Sequence, residues 1–355
     1  MIMAEKALLL EELPVEMVRR IMEEVDFLTR TSLRKCNHQF QEIVDGTVLW
    51  LEKIEVKLEK NRVRLTVKTS SDTSFHAVFS MNGPNVCLVE TSSENGQIPL
   101  FQKKRTIEGN FIECAFRDLR TVLINPKLTI KDLCFNATSE ENRGDFVYRM
   151  RRTLASLPHQ LNVESIRLAS NYEDDLLKIM TFLDATRLKK INLSPLSRSN
   201  SSFHDEPERI FKLRKIAQQE YFQTADALCT GDFVLDFNFE QLAHFSTLNV
   251  TLNQLSLSDV QKLIQTAAES EKEVKWTVKS RNGLDSKGIE DMLGHDAFGL
   301  ERERVFKCAN GYVKFKFLMY AILKMGHVAP SNGFVIETFS TPRFDQKIPV
   351  HELPF

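Results

Sequence analysis

Short runs rich in branched aliphatic residues recur at 128–135, 163–168, 188–193, 248–252 and 274–278, and several of the stretches between them carry helical spacing. A strand that is followed by a helix and then another strand returns by a crossover, so this alternation predicts parallel strands. The helical stretches lie at 146–157, 174–183 and 258–268. In the last of them Ser258 and Gln261 have the spacing of a capping box, ahead of an apolar stripe at Val260, Leu263, Ile264 and Ala267. Asp174 and Asp175 are read as charging the first turn of their helix, where negative side chains favour the dipole.

The aliphatic runs return at uneven intervals of roughly 25–35 residues, the range of leucine-rich-repeat and related solenoids. The expectation over 126–285 is therefore a degenerate, LRR-like strand–helix repeat domain. The preceding region, 55–125, reads as β-rich. Residues 54–58 and 63–67 alternate apolar and polar side chains with period two, and Asn61 lies in the turn between them. Turn clusters at 82–85 and 92–96 bound a further strand near 86–90, and the apolar stretches 75–79 and 111–116 are read into the same small sheet region. Residues 286–355 read as C-terminal strands and tail, with alternation at 312–317, a strand at 333–339, and Pro342, Pro349 and Pro354 marking an irregular end. The fold class is α/β.

Composition narrows the function. Lys plus Arg number 47 against 48 Asp plus Glu, a formal net charge of −1, so the chain lacks the long-range positive field of a nucleic-acid or anionic-membrane binder. No run approaches the roughly 20 apolar residues that span a bilayer, and acidic residues enter the first sixteen positions too early for a secretory signal. An intracellular, cytoplasmic or nuclear protein is expected, and the N-x-S/T triplets at Asn136, Asn192, Asn200 and Asn249 are then chance matches. The six cysteines stand singly, which predicts buried free thiols and neither a zinc site nor a disulfide framework. No nucleotide-binding, nucleophile-elbow or zinc-protease motif occurs, and the eight histidines are never paired at helical spacing. Cys229 and Cys308 lack any recognisable catalytic partner, so no catalytic residue, metal or cofactor is expected. Basic runs at 103–105, 149–152 and 212–215 are read as solvated helix sides, and the phenylalanines as core in preference to an RNA-stacking surface. The serine-rich stretch 194–202 reads as a mobile surface loop, a place where phosphorylation would add charge.

The N-terminal segment carries the sharpest pattern. Leu13-Pro14 opens a helix, with Val18, Ile21, Met22 and Val25 on one stripe. A second stripe follows at Leu33, Cys36, Phe40, Ile43 and Val44, closed by Asp45-Gly46 with the glycine expected in a left-handed conformation, and then by Leu49-Trp50. Some forty residues are too few to enclose a good core, so their apolar faces must meet something else. This stretch, over 8–54, resembles an F-box. Arg30 stands where many F-boxes carry an apolar residue and Phe40 where a Trp is frequent, and the run 28–36 is similar to the form common in nematode F-box proteins. The order of elements behind it, with the motif 183–193 and the strand–helix unit 245–268, resembles the FTH domain, an F-box-associated domain of nematodes.

The resemblance implies a substrate-recognition subunit of a Skp-cullin-F-box ubiquitin ligase. The F-box would dock on a Skp-type adaptor, and through it on a cullin-RING ligase, by way of Leu13, Pro14, Ile21, Leu33, Cys36, Phe40 and Trp50. The C-terminal domain would bind a client protein whose identity the sequence does not give. No membrane and no direct nucleic-acid contact is expected. The alternative is a non-degradative interaction scaffold that tethers a protein or an RNA-protein complex.

Overall fold

The computed structural model describes residues 10–352 apart from 11–12, 26, 70–72, 96–97, 139–140, 171, 196–209, 237–240, 282–287, 289–290, 292–301, 309–310, 325–326 and 340–349. The serine-rich stretch, from residue 196 on, and the three C-terminal prolines lie outside the described residues. The chain divides into two compact units, residues 1–164 with 178–187, and residues 165–177 with 188–355.

The first unit begins with three short helices, α1 (Val15–Glu24), α2 (Phe27–Leu33) and α3 (His38–Gly46). An antiparallel meander follows: β1 (Leu49–Glu59), β2 (Arg62–Thr69), β3 (Thr73–Met81), β4 (Val86–Asn95) and β5 (Ile98–Glu108). The predicted alternation is realised there. Ile54, Val56 and Leu58 of β1 are buried, opposite Val67, Leu65 and Val63 of β2, while the residues between them face out. Next come α4 (Phe111–Leu123), β6 (Leu128–Ala137), which pairs in parallel with β1, and α5 (Arg143–Ala155). The stretch 111–116, read as sheet, is helical. The Asn110 side chain accepts from the Ile112 and Glu113 N–H groups, and Phe111, Ile112, Ala115, Phe116, Leu119 and Leu123 form one buried face. That face packs on β2, β3 and β4, and Phe116 meets Phe146 of α5 edge-on at 5.2 Å. The 92–96 cluster is likewise not a turn until its end, because β4 runs on to Asn95.

Along the chain β7 (Asn162–Ala169) and α6 (Glu173–Met180) straddle the division. The second unit continues with β8 (Lys190–Ser194), β9 (Ile210–Phe211), α7 (Glu220–Thr224), β10 (Ala227–Leu235), β11 (Thr247–Leu252), α8 (Leu257–Glu269), β12 (Lys275–Ser280), β13 (Arg302–Cys308), β14 (Gly311–Lys324), β15 (His327–Phe339) and β16 (Val350–Glu352). Strands β7, β8, β10, β11 and β12 lie side by side in that order and are all parallel, while β15, β14 and β13 continue the sheet antiparallel. Register explains the recurrence seen in sequence. Ile166, Ile191, Leu228, Leu248, Trp276, Ile336 and Phe315 stand opposite one another across seven strands, and all are buried.

Two local readings move. The capping box of α8 is Ser256 with Asp259, two residues before the predicted pair: Ser256 Oγ accepts from the Asp259 N–H at 3.2 Å, and Asp259 Oδ2 accepts from the Ser256 N–H at 2.8 Å. Gly46 does not adopt a left-handed conformation. It closes α3 as an ordinary helical residue, and Thr47 ends the helix by donating from Oγ1 to the Ile43 carbonyl at 2.7 Å. A Cβ at Gly46 would meet nothing within 4 Å. Gly46→Ala should therefore raise stability by about 0.5–1 kcal/mol, read as a higher thermal midpoint.

Candidate functional site

The three helices do enclose a small core of their own, contrary to the estimate from length. Val18 and Met22 of α1 meet Phe40, Ile43 and Val44 of α3, all buried, and Leu10, Leu13, Val25 and Leu33 pack partly against them. Polar contacts fix the helices at their ends. The Asn37 side chain caps α3 by accepting from the Phe40 N–H at 2.8 Å, and Arg34 grips Asp45 with two nitrogens, at 2.7 and 2.9 Å. The Pro14 carbonyl accepts from the Met17 and Val18 N–H groups, which starts α1.

Arg30, the departure from the apolar pattern, has a physical reason. Its guanidinium donates to three carbonyls: Glu23 at 2.8 Å, Val25 at 3.1 Å and Val48 at 3.0 Å. Helix α1 has no basic residue in its last turn, so Arg30 supplies the positive charge its C-terminus favours while tying α2 to the junction before β1. Arg30→Ala should cost about 2 kcal/mol of stability, measurable by urea titration, and Arg30→Lys should recover only part of it because one ammonium cannot reach three carbonyls.

The seven residues singled out for docking occupy different environments. Phe40 is 5% exposed, and its ring is a core element. Leu13, Ile21 and Leu33 are half-buried, and Pro14, Cys36 and Trp50 are exposed. Trp50 lies in β1 opposite Thr129 of β6, so the end of the helical segment is already the start of the sheet. Sequence reasoning missed Met17, which is 51% exposed. Pro14, Met17 and Ile21 follow an i, i+3, i+7 spacing beside the buried stripe of Val18 and Met22, and that spacing was the available signal.

The segment is anchored from behind. The buried Asn125 side chain donates to the Val44 and Thr47 carbonyls at 3.3 and 3.1 Å and accepts from the Lys127 N–H at 2.8 Å. It therefore ties the end of α3 to the turn that leads into β6.

Among the described residues no group of three or more His, Cys, Asp or Glu could hold a metal, and no helix is long and apolar enough to cross a membrane. Cys87, Cys114 and Cys134 are buried, whereas Cys36 is exposed and Cys229 half-buried; the side chain of Cys308 lies outside the described residues. Burial, with the Cys114 thiol beside it, pushes Cys87 up to about 12, which leaves a neutral core thiol. The basic runs are partly neutralised. Lys104 and Arg105 sit on a strand, β5, not on a helix, and pair with Glu90 and Asp118; Arg149 pairs with Glu113 and Asp145, and Lys215 with Asp174.

Comparison with known proteins agrees with this organisation. A model of the F-box domain matches residues 10–52, and a model of the FTH domain matches residues 144–296. The F-box A protein 224 of Caenorhabditis elegans is 20% identical over 262 residues, which cover 72% of this chain and 62% of that protein, so the match takes in less than two thirds of the relative. No solved structure matches. An F-box at the N-terminal helices, an FTH domain behind it and a nematode relative converge on one assignment: the chain is an F-box protein with a C-terminal FTH domain.

Proposed function

We propose that this chain is the substrate-recognition subunit of a Skp-cullin-F-box ubiquitin ligase, working in the cytoplasm or nucleus. The observation that carries the reading is the apolar edge on α1, where Pro14 and Met17 are exposed and Ile21 is half-exposed although a sealed core lies directly beneath them. Exposed apolar side chains held on a well-fixed helix are what a partner protein buries. F-box domains generally bind Skp-type adaptors, and F-box and FTH families are typically non-enzymatic. In this reading residues 8–54 dock, with Leu13, Leu33, Cys36 and Trp50 flanking the α1 edge, and Phe40 holds the docking helices together from inside. Residues 126–285 would bind the client, and the side-by-side parallel strands β7, β8, β10, β11 and β12 support reading this region as an LRR-like array. The chain acts by proximity, holding a client near a charged ubiquitin carrier and so raising their effective concentration.

Co-expression with a Skp-type adaptor should give a complex that survives gel filtration. A reconstituted ligase containing the chain should then transfer ubiquitin to proteins that proximity labelling finds beside residues 126–285. An adaptor complex that never ubiquitinates such a protein would favour the non-degradative scaffold instead.

A further inference from the structure

Strand β5 closes one side of the meander: it pairs with β4 and with no other strand among the described residues. Its register decides which backbone groups that leaves over. The Gly109 N–H donates to the Asn85 carbonyl at 2.9 Å, and the ladder then runs unshifted from Glu108 opposite Val86 to Phe101 opposite Ser93. Hydrogen-bonded pairs alternate along an antiparallel ladder. Ile107, Arg105 and Lys103 therefore turn their amide and carbonyl groups to β4, whereas Glu108, Thr106, Lys104 and Gln102 turn theirs outward. No described element covers that edge, since Gln102, Lys103, Lys104, Arg105 and Thr106 are all exposed and both faces of the strand lie open there. The open stretch is also charged. Lys104 and Arg105 pair with Glu90 and Asp118, yet 60% and 59% of their side chains remain exposed, and Lys103 stands next to them.

We propose that β5 is a docking edge for an extended acidic protein segment, which lies down beside it as a further strand of the meander. Backbone pairing with the four outward-turned residues supplies the hold, and carboxylates facing Lys103, Lys104 and Arg105 select the segment. Lysines on an edge also keep stray strands away, and this run does so selectively. Two copies of β5 laid antiparallel through Arg105 bring like charges together, as does any basic segment. An acidic strand meets the same edge with opposite charge. The inference does not depend on adaptor docking and is tested without the adaptor.

The probe is a capped peptide of alternating Glu and Val, titrated into the full chain and followed by amide NMR with hydrogen exchange. On saturation the amides of Gln102, Lys104, Thr106 and Glu108 should slow about tenfold or more, while those of Lys103, Arg105 and Ile107 should be slow already. A peptide with Lys in place of Glu should not bind. The Glu-Val peptide N-methylated along its central residues keeps its charge but loses its strand donors, and it should bind about tenfold more weakly. Thr106→Pro removes one outward N–H and should weaken the acidic peptide about tenfold at an unchanged thermal midpoint, whereas Arg105→Pro, which removes a ladder bond, should lower the midpoint. If Thr106→Pro unfolds the strand, the N-methylated peptide on the parent chain decides. Equal binding of the N-methylated peptide, unchanged exchange at the four outward amides, binding of the Lys peptide, or an oligouridylate that binds as tightly as the acidic peptide would each overturn the proposal.

Discussion

Met17→Glu together with Ile21→Glu should abolish capture by a Skp-type adaptor, while the far-ultraviolet circular dichroism and the thermal midpoint should stay within experimental error of the parent. Each side chain, if buried by a partner, contributes about 1.5–3 kcal/mol, and each introduced carboxylate would add a desolvation penalty of similar size. A loss above about 4 kcal/mol corresponds to at least a thousandfold in affinity. The fold is spared because Met17 is exposed and Ile21 half-open, neither belonging to the sealed cluster of Val18, Met22, Phe40, Ile43 and Val44. This pair is a cleaner probe than Leu13→Glu with Pro14→Ala, since Leu13 packs partly on that cluster and Pro14 starts the helix. A double variant still captured at parental strength means the α1 edge is not the docking surface.

Phe40→Ala should give the opposite signature. The ring is 5% exposed and sits between α1 and α3, so its removal leaves a cavity and should destabilise the helical segment by about 3–5 kcal/mol. In a segment this small that is a large share of the stability available. Native-state hydrogen exchange should show α1 and α3 opening together, and adaptor capture should weaken in proportion to the fraction unfolded and recover on cooling. Phe40→Leu, which refills most of the volume, should restore both. A Phe40→Ala chain with unchanged exchange but no capture would instead make Phe40 a direct contact.

The contrast between these residues shows what the sequence could convey. Periodicity identified the stripes on α1 and α3, but a stripe gives the direction of an apolar side chain and not what covers it; Phe40 and Ile21 read alike until the packing of α1 on α3 separates them. The meander was legible where alternation was strict, in β1 and β2. It failed at 111–116, where the apolar spacing fits a helix once Asn110 is recognised as the cap. Strand β10 escaped because Thr230, Gly231 and Asp232 interrupt its aliphatic residues. Gly231 has φ +54° and the register with β11 shifts between Cys229 and Val234, so the break in pattern is a bulge in a real strand. The grouping of Glu23 with Trp50, Phe75 and Ser93 around one pocket was not legible at all, since it forms only when the end of α1 meets strands β1, β3 and β4.

Asn125 and the Leu49-Trp50 pair have a mechanical meaning. Because the last residues of the F-box are paired into β1, and its final helix is bonded to Asn125, no slack segment separates the three helices from the first unit's sheet. Whatever those helices carry has its bearing on that sheet fixed by backbone pairing, like a bracket welded to its plate. Splicing a few Gly-Ser residues after Thr47 would turn that bracket into a leash, on which the three helices could pivot against β1.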